Sequence, residues 1–423
     1  MQIIAFSPRY FPAVGGAEIH LAALLERFVR DGHQVTVVTT DALDFQYFWE
    51  PSAAQVPSEA PISHNGVEMM RFPVKHLPFT PLSYHAWRRG LWVLSRLPFT
   101  SVGLGAMLSR QTPRSPALWH WVNTTTRTAD IILGMNICYE PFLWAGASLA
   151  QRLNVPFVAQ PLTHLGAGAS PATDPQSQFY TMAHQTAVVT QADLAVMQSP
   201  TERDFYIERG ASPERFTVVS PGIDLERYGL GDGGRFRAKH QLKEPIVAYI
   251  GTHDRDKGTL DLIKAVSQLW QDGATCELVL AGAQTAEFAE FWAQLDDQTR
   301  ERIVLLGRIS DQDKHDLLAA LDLFVMPSRI DSFGMVYLEA WLYEKPVIAA
   351  RAWGMSDLID DGCGGVLVPF GEASVLAGEI AGLLANPEKR QAMGRAGSIK
   401  ARENYTWEEK YQTFSAALSE LIP

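Results

Sequence analysis

Short apolar runs alternate with helix-spaced apolar residues along this chain in two series, separated by one glycine-rich stretch. In the first series Ile3–Phe6 reads as a strand, Leu21, Leu24, Leu25 and Phe28 recur at helical spacing, and Val35–Thr39 reads as a second strand. Ile131–Leu133, Pro156–Ala159 and Asp193–Met197 continue it. Apolar runs of this kind belong to parallel sheets covered by helices on both faces. The stretch "SPGIDLERYGLGDGGRFRAKHQLKE", with five glycines between Gly222 and Gly234, reads as loop or linker. A second series follows: Ile246–Ile250, Glu277–Ala281, Ile303–Leu306, Leu323–Met326, Val347–Ala349 and Val366–Val368. The expectation is α/β, with two Rossmann-like doubly wound domains. They are placed at 1–224 and 225–404, and the amphipathic run 405–423 is expected to pack back on the first.

The 423 residues leave ample core for two domains, and a net charge of -11 argues against nucleic acid as a partner. Cys138, Cys276 and Cys363 are isolated, so neither a disulfide framework nor a metal set follows, and a reducing, cytoplasmic compartment is expected. The start, "MQIIAFSPRYFP", reads as a strand rather than a signal peptide. The apolar run Leu97–Leu108 is too short to span a membrane. One local imbalance stands out: from Met69 to Ala129 there is no Asp or Glu, but eight Lys or Arg. Trp87, Trp92, Trp119 and Trp121 lie in the same region. That mixture suits an anionic membrane surface or a phosphorylated substrate, and equally a basic rim on a cleft. Peripheral contact through residues 71–127 with the inner membrane surface is therefore an expectation.

In open sheets of this type, ligands bind beyond the carboxyl ends of strands. The loop "PSRIDSFG" follows the strand Leu323–Met326 and opens a helix-like run that holds Glu339. Free amides at a helix start attract an anion such as a diphosphate, and Gly334 permits close backbone approach. Asp331 and Glu339 can each grip a vicinal diol. A helix cap with a solvated glutamate would explain Asp331 alone. It does not explain Glu339, whose neighbours Val336, Leu338, Ala340 and Leu342 are apolar.

"PSRIDSFGMVYLEAWLYEKPVIA" resembles the E-x7-E signature of retaining glycosyltransferases of family 4, and the resemblance implies the GT-B fold, two Rossmann-like doubly wound domains facing a central cleft. "YFPAVGGAEIHLAALLERFVRDGHQVTVVTT" is similar to that family's glycine-rich amino-terminal segment. "ADLAVMQSPTERDFYIERGASPERFTVVSPGID", "IGTHDRDKGTLDLIKAV" and "LLGRISDQDKHDLLAALDLFVMPS" resemble later segments, in the family's order. The resemblance implies a glycosyltransferase moving a hexose from a nucleotide sugar to an acceptor, with retention. Glu339 would bond the ribose, Asp331 the transferred sugar, and Lys257 the phosphates. Phe333, Gly334 and Met335 would offer backbone groups. Thr252 and the loop of Arg308 and Ile309 would border the donor, Gly15 and Gly16 would line its phosphate, and His164 would sit beside the sugar. Catalytic roles thus fall on His164, Lys257 and Asp331, with no metal and no cofactor beyond a UDP- or GDP-linked donor.

Three of these assignments also have a plainer alternative: a surface lysine beside a helix start for Lys257, a loop histidine bonded to backbone for His164, and a plain turn for Gly15–Gly16. Two positions depart from the family. Asp331 stands where Glu is usual, about 1.5 Å shorter in reach. Thr252 stands where Arg commonly follows the glycine, leaving Arg255 or Arg308 to supply the cation. The acceptor would be a glycan, lipid-linked or phosphorylated, held by the amino-terminal half. The rivals are a binding protein without transfer, a sugar-nucleotide epimerase, and a nicotinamide-dependent dehydrogenase. The last needs a glycine fingerprint at the first strand–helix turn, whereas here Gly15 follows Ser7 by eight residues, behind two prolines.

Overall fold

The structure, a computed structural model, describes residues 1–98, 100–227 and 229–422. Phe99 in the run Leu97–Leu108, Tyr228 in the glycine-rich stretch and Pro423 at the end of the closing run lie outside them. The chain forms two compact units: Met1–His164 with Ala172–Ser220 and Lys410–Pro423, and Leu165–Pro171 with Pro221–Glu409.

The first unit is built on eight strands: β1 (Gln2–Phe6), β2 (Gln34–Thr40), β3 (Ser63–His64), β4 (Val67–Phe72), β5 (Ile131–Met135), β6 (Phe157–Gln160), β7 (Leu194–Met197) and β8 (Phe216–Val218). Their order is β3-β4-β2-β1-β5-β6-β7-β8, all parallel except the β3–β4 edge pair. The order reverses between β1 and β5, so the switch point lies at the loops that follow those two strands. Leu21, Leu24, Leu25 and Phe28 are buried on the helix Gly16–Arg30. The closing helix Trp407–Ser419 sets Tyr411 and Phe414 edge-on against Phe28, with ring centres at 4.9 and 5.8 Å. Three strands escaped the sequence reading: β8 is three residues long, and β3 and β4 form the half-exposed edge of the sheet.

The second unit has six parallel strands: β9 (Ile246–Ile250), β10 (Glu277–Ala281), β11 (Ile303–Gly307), β12 (Leu323–Met326), β13 (Val347–Ala350) and β14 (Gly365–Val368). The order β11-β10-β9-β12-β13-β14 puts the switch point between β9 and β12. The glycine-rich stretch is not simply a linker. It contains the helix Gly233–His240, whose Asp232 side chain accepts the Arg235 amide as a cap. Arg235 then forks onto Asp316 with two bonds of 2.6 Å, and Phe236 is buried. The Arg235 bond holds the Asp316 carboxyl down at about 2. Two glycines at a helix start cost little once the cap and this anchor are made, which composition alone does not reveal.

Candidate active site

In the second unit the switch-point loops are wired to each other. Asp254 accepts the Asp256 amide at 2.7 Å, an Asx-type turn that shapes the loop after β9. The Arg329 amide donates to the Asp256 carbonyl at 2.9 Å, and the Arg329 guanidinium binds the Asp256 carboxylate. With the two loops joined, Lys257 reaches Asp331 at 2.5 Å. Burial raises the Asp254 carboxyl above its usual range, with the neighbouring carboxylates of Asp256 and Glu287 adding to the shift.

Gly334 stands at the N-cap of the helix Met335–Leu342 and, lacking a side chain, makes no cap hydrogen bond there. Its φ of +80° and the Tyr337 ring, 2.5 Å from where a Cβ would stand, together require glycine. Tyr337, Leu338, Ala340, Trp341 and Leu342 face the core. Glu339 lies on the half-buried side, where Lys314 donates to it at 2.8 Å. One residue on, His315 meets the Tyr343 hydroxyl at 3.0 Å, so the helix Asp311–Ala320 runs along the Glu339 face. Both carboxylates singled out from the sequence are thus paired with lysines.

Thr252 is exposed, and its carbonyl accepts the Tyr249 hydroxyl at 2.6 Å. Arg255 pairs with Glu287 at 2.5 Å. The Gly251 amide donates to Ala281 and the Gly282 amide to Gly307, which gathers the ends of β9, β10 and β11. Arg308 just beyond is exposed and Ile309 half-buried. Phe333 turns its ring inward, 5.7 Å from that of Tyr405, leaving its backbone for any outward contact. Met335 is half-buried at the helix start.

In the first unit Gly15 caps the helix Gly16–Arg30 and Gly16 opens it. A Cβ on Gly15 would stand 2.4 Å from the Glu18 carboxylate, while one on Gly16 would meet nothing within 4 Å. Glu18 is buried and bonded to Arg9 at 3.0 Å; Arg9 also donates to the Leu43 carbonyl and lies 3.5 Å over the Phe45 ring. His164 follows β6. The Glu202 carboxylate takes the Thr163 amide at 2.5 Å and Tyr206 meets the Thr163 hydroxyl at 2.8 Å, so the backbone entering His164 is fixed. Its ring lies 5.1 Å from that of Tyr180.

Sequence reasoning missed Lys314, the Asp256–Arg329 pair and the Arg9–Glu18 pair. Among the described residues no group of three or more His, Cys, Asp or Glu could hold a metal ion. No helix among them is long and apolar enough to cross a membrane. The basic stretch is partly neutralised from outside: Arg88 pairs with Glu140 and Arg127 with Glu68.

Two doubly wound units with ligand-type loops at their switch points define the GT-B class of α/β protein. HepE from Anabaena, solved with UDP and glucose, superposes with a TM-score of 0.71 at 21% identity over 100% of both chains. Sucrose-phosphate synthase from Thermosynechococcus elongatus gives 0.73 at 21% identity over 99% and 98%. The family described as Glycosyl transferases group 1 matches residues 234–400, and Glycosyl transferase 4-like domain matches residues 15–222. The chain belongs to these glycosyltransferases. D-inositol 3-phosphate glycosyltransferase 1 of Catenulispora acidiphila is 31% identical over 62% of this chain and 66% of its own length. The Nocardia farcinica D-inositol 3-phosphate glycosyltransferase is 30% identical over 55% and 54%. The chain thus spans between about half and just under two thirds of those two relatives.

Proposed function

We propose that the chain moves a hexose from a nucleotide sugar, held by the second unit, to a hydroxyl of an acceptor held by the first. One observation carries this reading: Lys257 lies against Asp331 in the turn that opens an uncapped helix containing Glu339. The sugar–phosphate bond breaks with its electron pair leaving on the diphosphate. The acceptor oxygen bonds the anomeric carbon and gives up its proton to the departing phosphate. Lys257 and the amides at Gly334–Met335 stabilise the charge that develops on the leaving group. Glu339, set free from Lys314, takes the ribose hydroxyls, and Asp331 takes the sugar. His164, in the first unit, is the histidine that the family resemblance assigns to the sugar. Retention follows the E-x7-E resemblance. A UDP- or GDP-linked donor is the only small molecule the reaction calls for beside the acceptor. A UDP complex of a protein with the same fold, and relatives named for an inositol phosphate, support a UDP-linked hexose and a phosphorylated or lipid-linked acceptor.

Peripheral work at the inner membrane surface is supported by Phe79 and Leu82, 89% and 78% exposed, and by Val93, Leu104 and Met107, also exposed, in the same segment of the chain as the exposed Arg89 and Arg96. A second reading, donor binding without transfer, is favoured by Thr252 in the usual place of an arginine while Arg255 is engaged by Glu287.

The test is turnover. The protein is incubated with UDP-, GDP- and ADP-glucose and inositol phosphates; diphosphate release and the anomeric coupling of the product by NMR are read. Acceptor-dependent release with an α-linked product is expected. Binding without release would leave only the second reading, and an inverted product would refute retention.

A further inference from the structure

A cavity of about 360 Å³ lies in the first unit, beside the loop that follows β5. That loop borders the β1/β5 switch point, where an open α/β sheet receives its ligands. The walls are rings: Trp49, Tyr84, Tyr139, Phe179 and Tyr180. They are held from behind. Tyr139 stacks on Phe45 at 4.7 Å and meets Phe48 edge-on at 4.9 Å, and Phe179 stacks on Trp92 at 5.3 Å.

Arg88 also lines the cavity, and its Nη1 donates to both oxygens of the fully buried Glu140 at 2.7 and 2.9 Å, while His184 and Gln185 bond the same carboxylate at 3.0 and 3.3 Å. Burial would push the Glu140 carboxyl up, but Arg88 and His184 outweigh it and hold it below its usual range. Arg88 is therefore consumed by structure. Arg89, the next residue, is not. It lies over the Trp92 and Phe179 rings at 4.6 and 5.8 Å, is exposed, and has no ion-pair partner among the described residues. No Asp or Glu lines the cavity among the described residues.

Resting on the reading of the chain as a transferase, we infer that this cavity is the acceptor site and takes a ring polyol carrying a phosphate. The rings offer apolar faces to the C–H side of such a ring, and Arg89 offers a planar fork to the phosphate. The volume suits one substituted ring. Tyr180 forms one wall and also packs on His164, so the cavity adjoins the histidine assigned to the sugar. A free sugar or cyclitol phosphate and the head group of a phosphoinositide lipid share this chemistry.

The experiment uses the full chain and four probes: myo-inositol 3-phosphate, myo-inositol, and phosphatidylcholine vesicles with and without phosphatidylinositol. Calorimetry reads the soluble probes and co-sedimentation the vesicles, for wild type, Arg89→Gln and Trp49→Leu. UDP-glucose binding and the melting temperature are read alongside. The expected result is binding of a phosphorylated probe but not of its neutral counterpart. Arg89→Gln weakens it at least tenfold and Trp49→Leu severalfold, with UDP-glucose affinity and melting unchanged in Arg89→Gln. Preference for the soluble probe or for the lipid vesicle identifies the source. Equal binding of myo-inositol, indifference to Arg89→Gln, or no binding of either phosphorylated probe would overturn the inference. Loss of UDP-glucose binding in wild type with Arg89-dependent probe binding intact would sink the transfer reading instead, leaving the phosphate site standing.

Discussion

The two units share one sheet logic and differ in how their switch points are built. In the second, two short loops are stitched by the Asp256–Arg329 and Lys257–Asp331 pairs, so charged groups stand fixed around an uncapped helix start. In the first, the long excursion between β4 and β5 folds over the loop after β5, buries a charge cluster, and leaves an aromatic void. The diphosphate is the invariant part of a nucleotide-sugar donor, and fixed charges suit it. Acceptors vary, and a shaped cavity can be re-lined without disturbing the sheet. Rigidity by ion pair and shape by aromatic packing are thus divided between the units.

That contrast can be broken in several places. Replacing Glu140 with Ala strands Arg88 as a buried charge and should cost about 3–5 kcal/mol. Urea unfolding should show the transition of the first unit shifted and that of the second unmoved; equal shifts would deny that the cluster belongs to one unit alone. If Lys257 serves the leaving group as proposed, Lys257→Ala should lower kcat about 10²–10³-fold, and folding should change little because the lysine is partly exposed. Acid should test both units. His20 in the first and His253 in the second are buried, and burial lowers each to about 4 from an ordinary 6.5. Below pH 6.5 the unfolded chain takes up protons that the native state refuses. Stability therefore falls as pH drops from 6.5 to 4, by on the order of 3 kcal/mol per histidine. His253→Phe should flatten that slope in the second unit only, as read by unfolding at several pH values. Smallest, Gly334→Ala forces a Cβ into a positive-φ position against Tyr337 and should cost about 1–3 kcal/mol. Donor affinity should drop with it, while binding in the aromatic cavity is unchanged.

Much of the fold could be read directly because nearly every strand is buried on both faces, so Ile246–Ile250 or Leu323–Met326 appears as an unbroken apolar run. Val67–Phe72 mixes Glu and Arg with its methionines because it lies near the sheet edge, and it gave no such signal. Gly233–His240 was hidden by its opening glycines, although Asp232 and Arg235 specify it. The site residues stood out where a motif concentrates them, as at Asp331 to Glu339. Lys314 and Arg329 did not, because their partners lie 25 and 73 residues away and nothing local marks a pairing. The cavity was invisible for the same reason: its walls come from segments near residues 49, 84, 139 and 179, joined only by tertiary structure.

The most direct measurement is calorimetric titration of wild type and Glu339→Ala with UDP-, GDP- and ADP-sugars and with NAD. The account predicts that one nucleotide sugar binds the wild type and that Glu339→Ala abolishes it. Binding of NAD alone, of no nucleotide at all, or of a nucleotide sugar equally well to both proteins would contradict a donor site at the β9/β12 switch point.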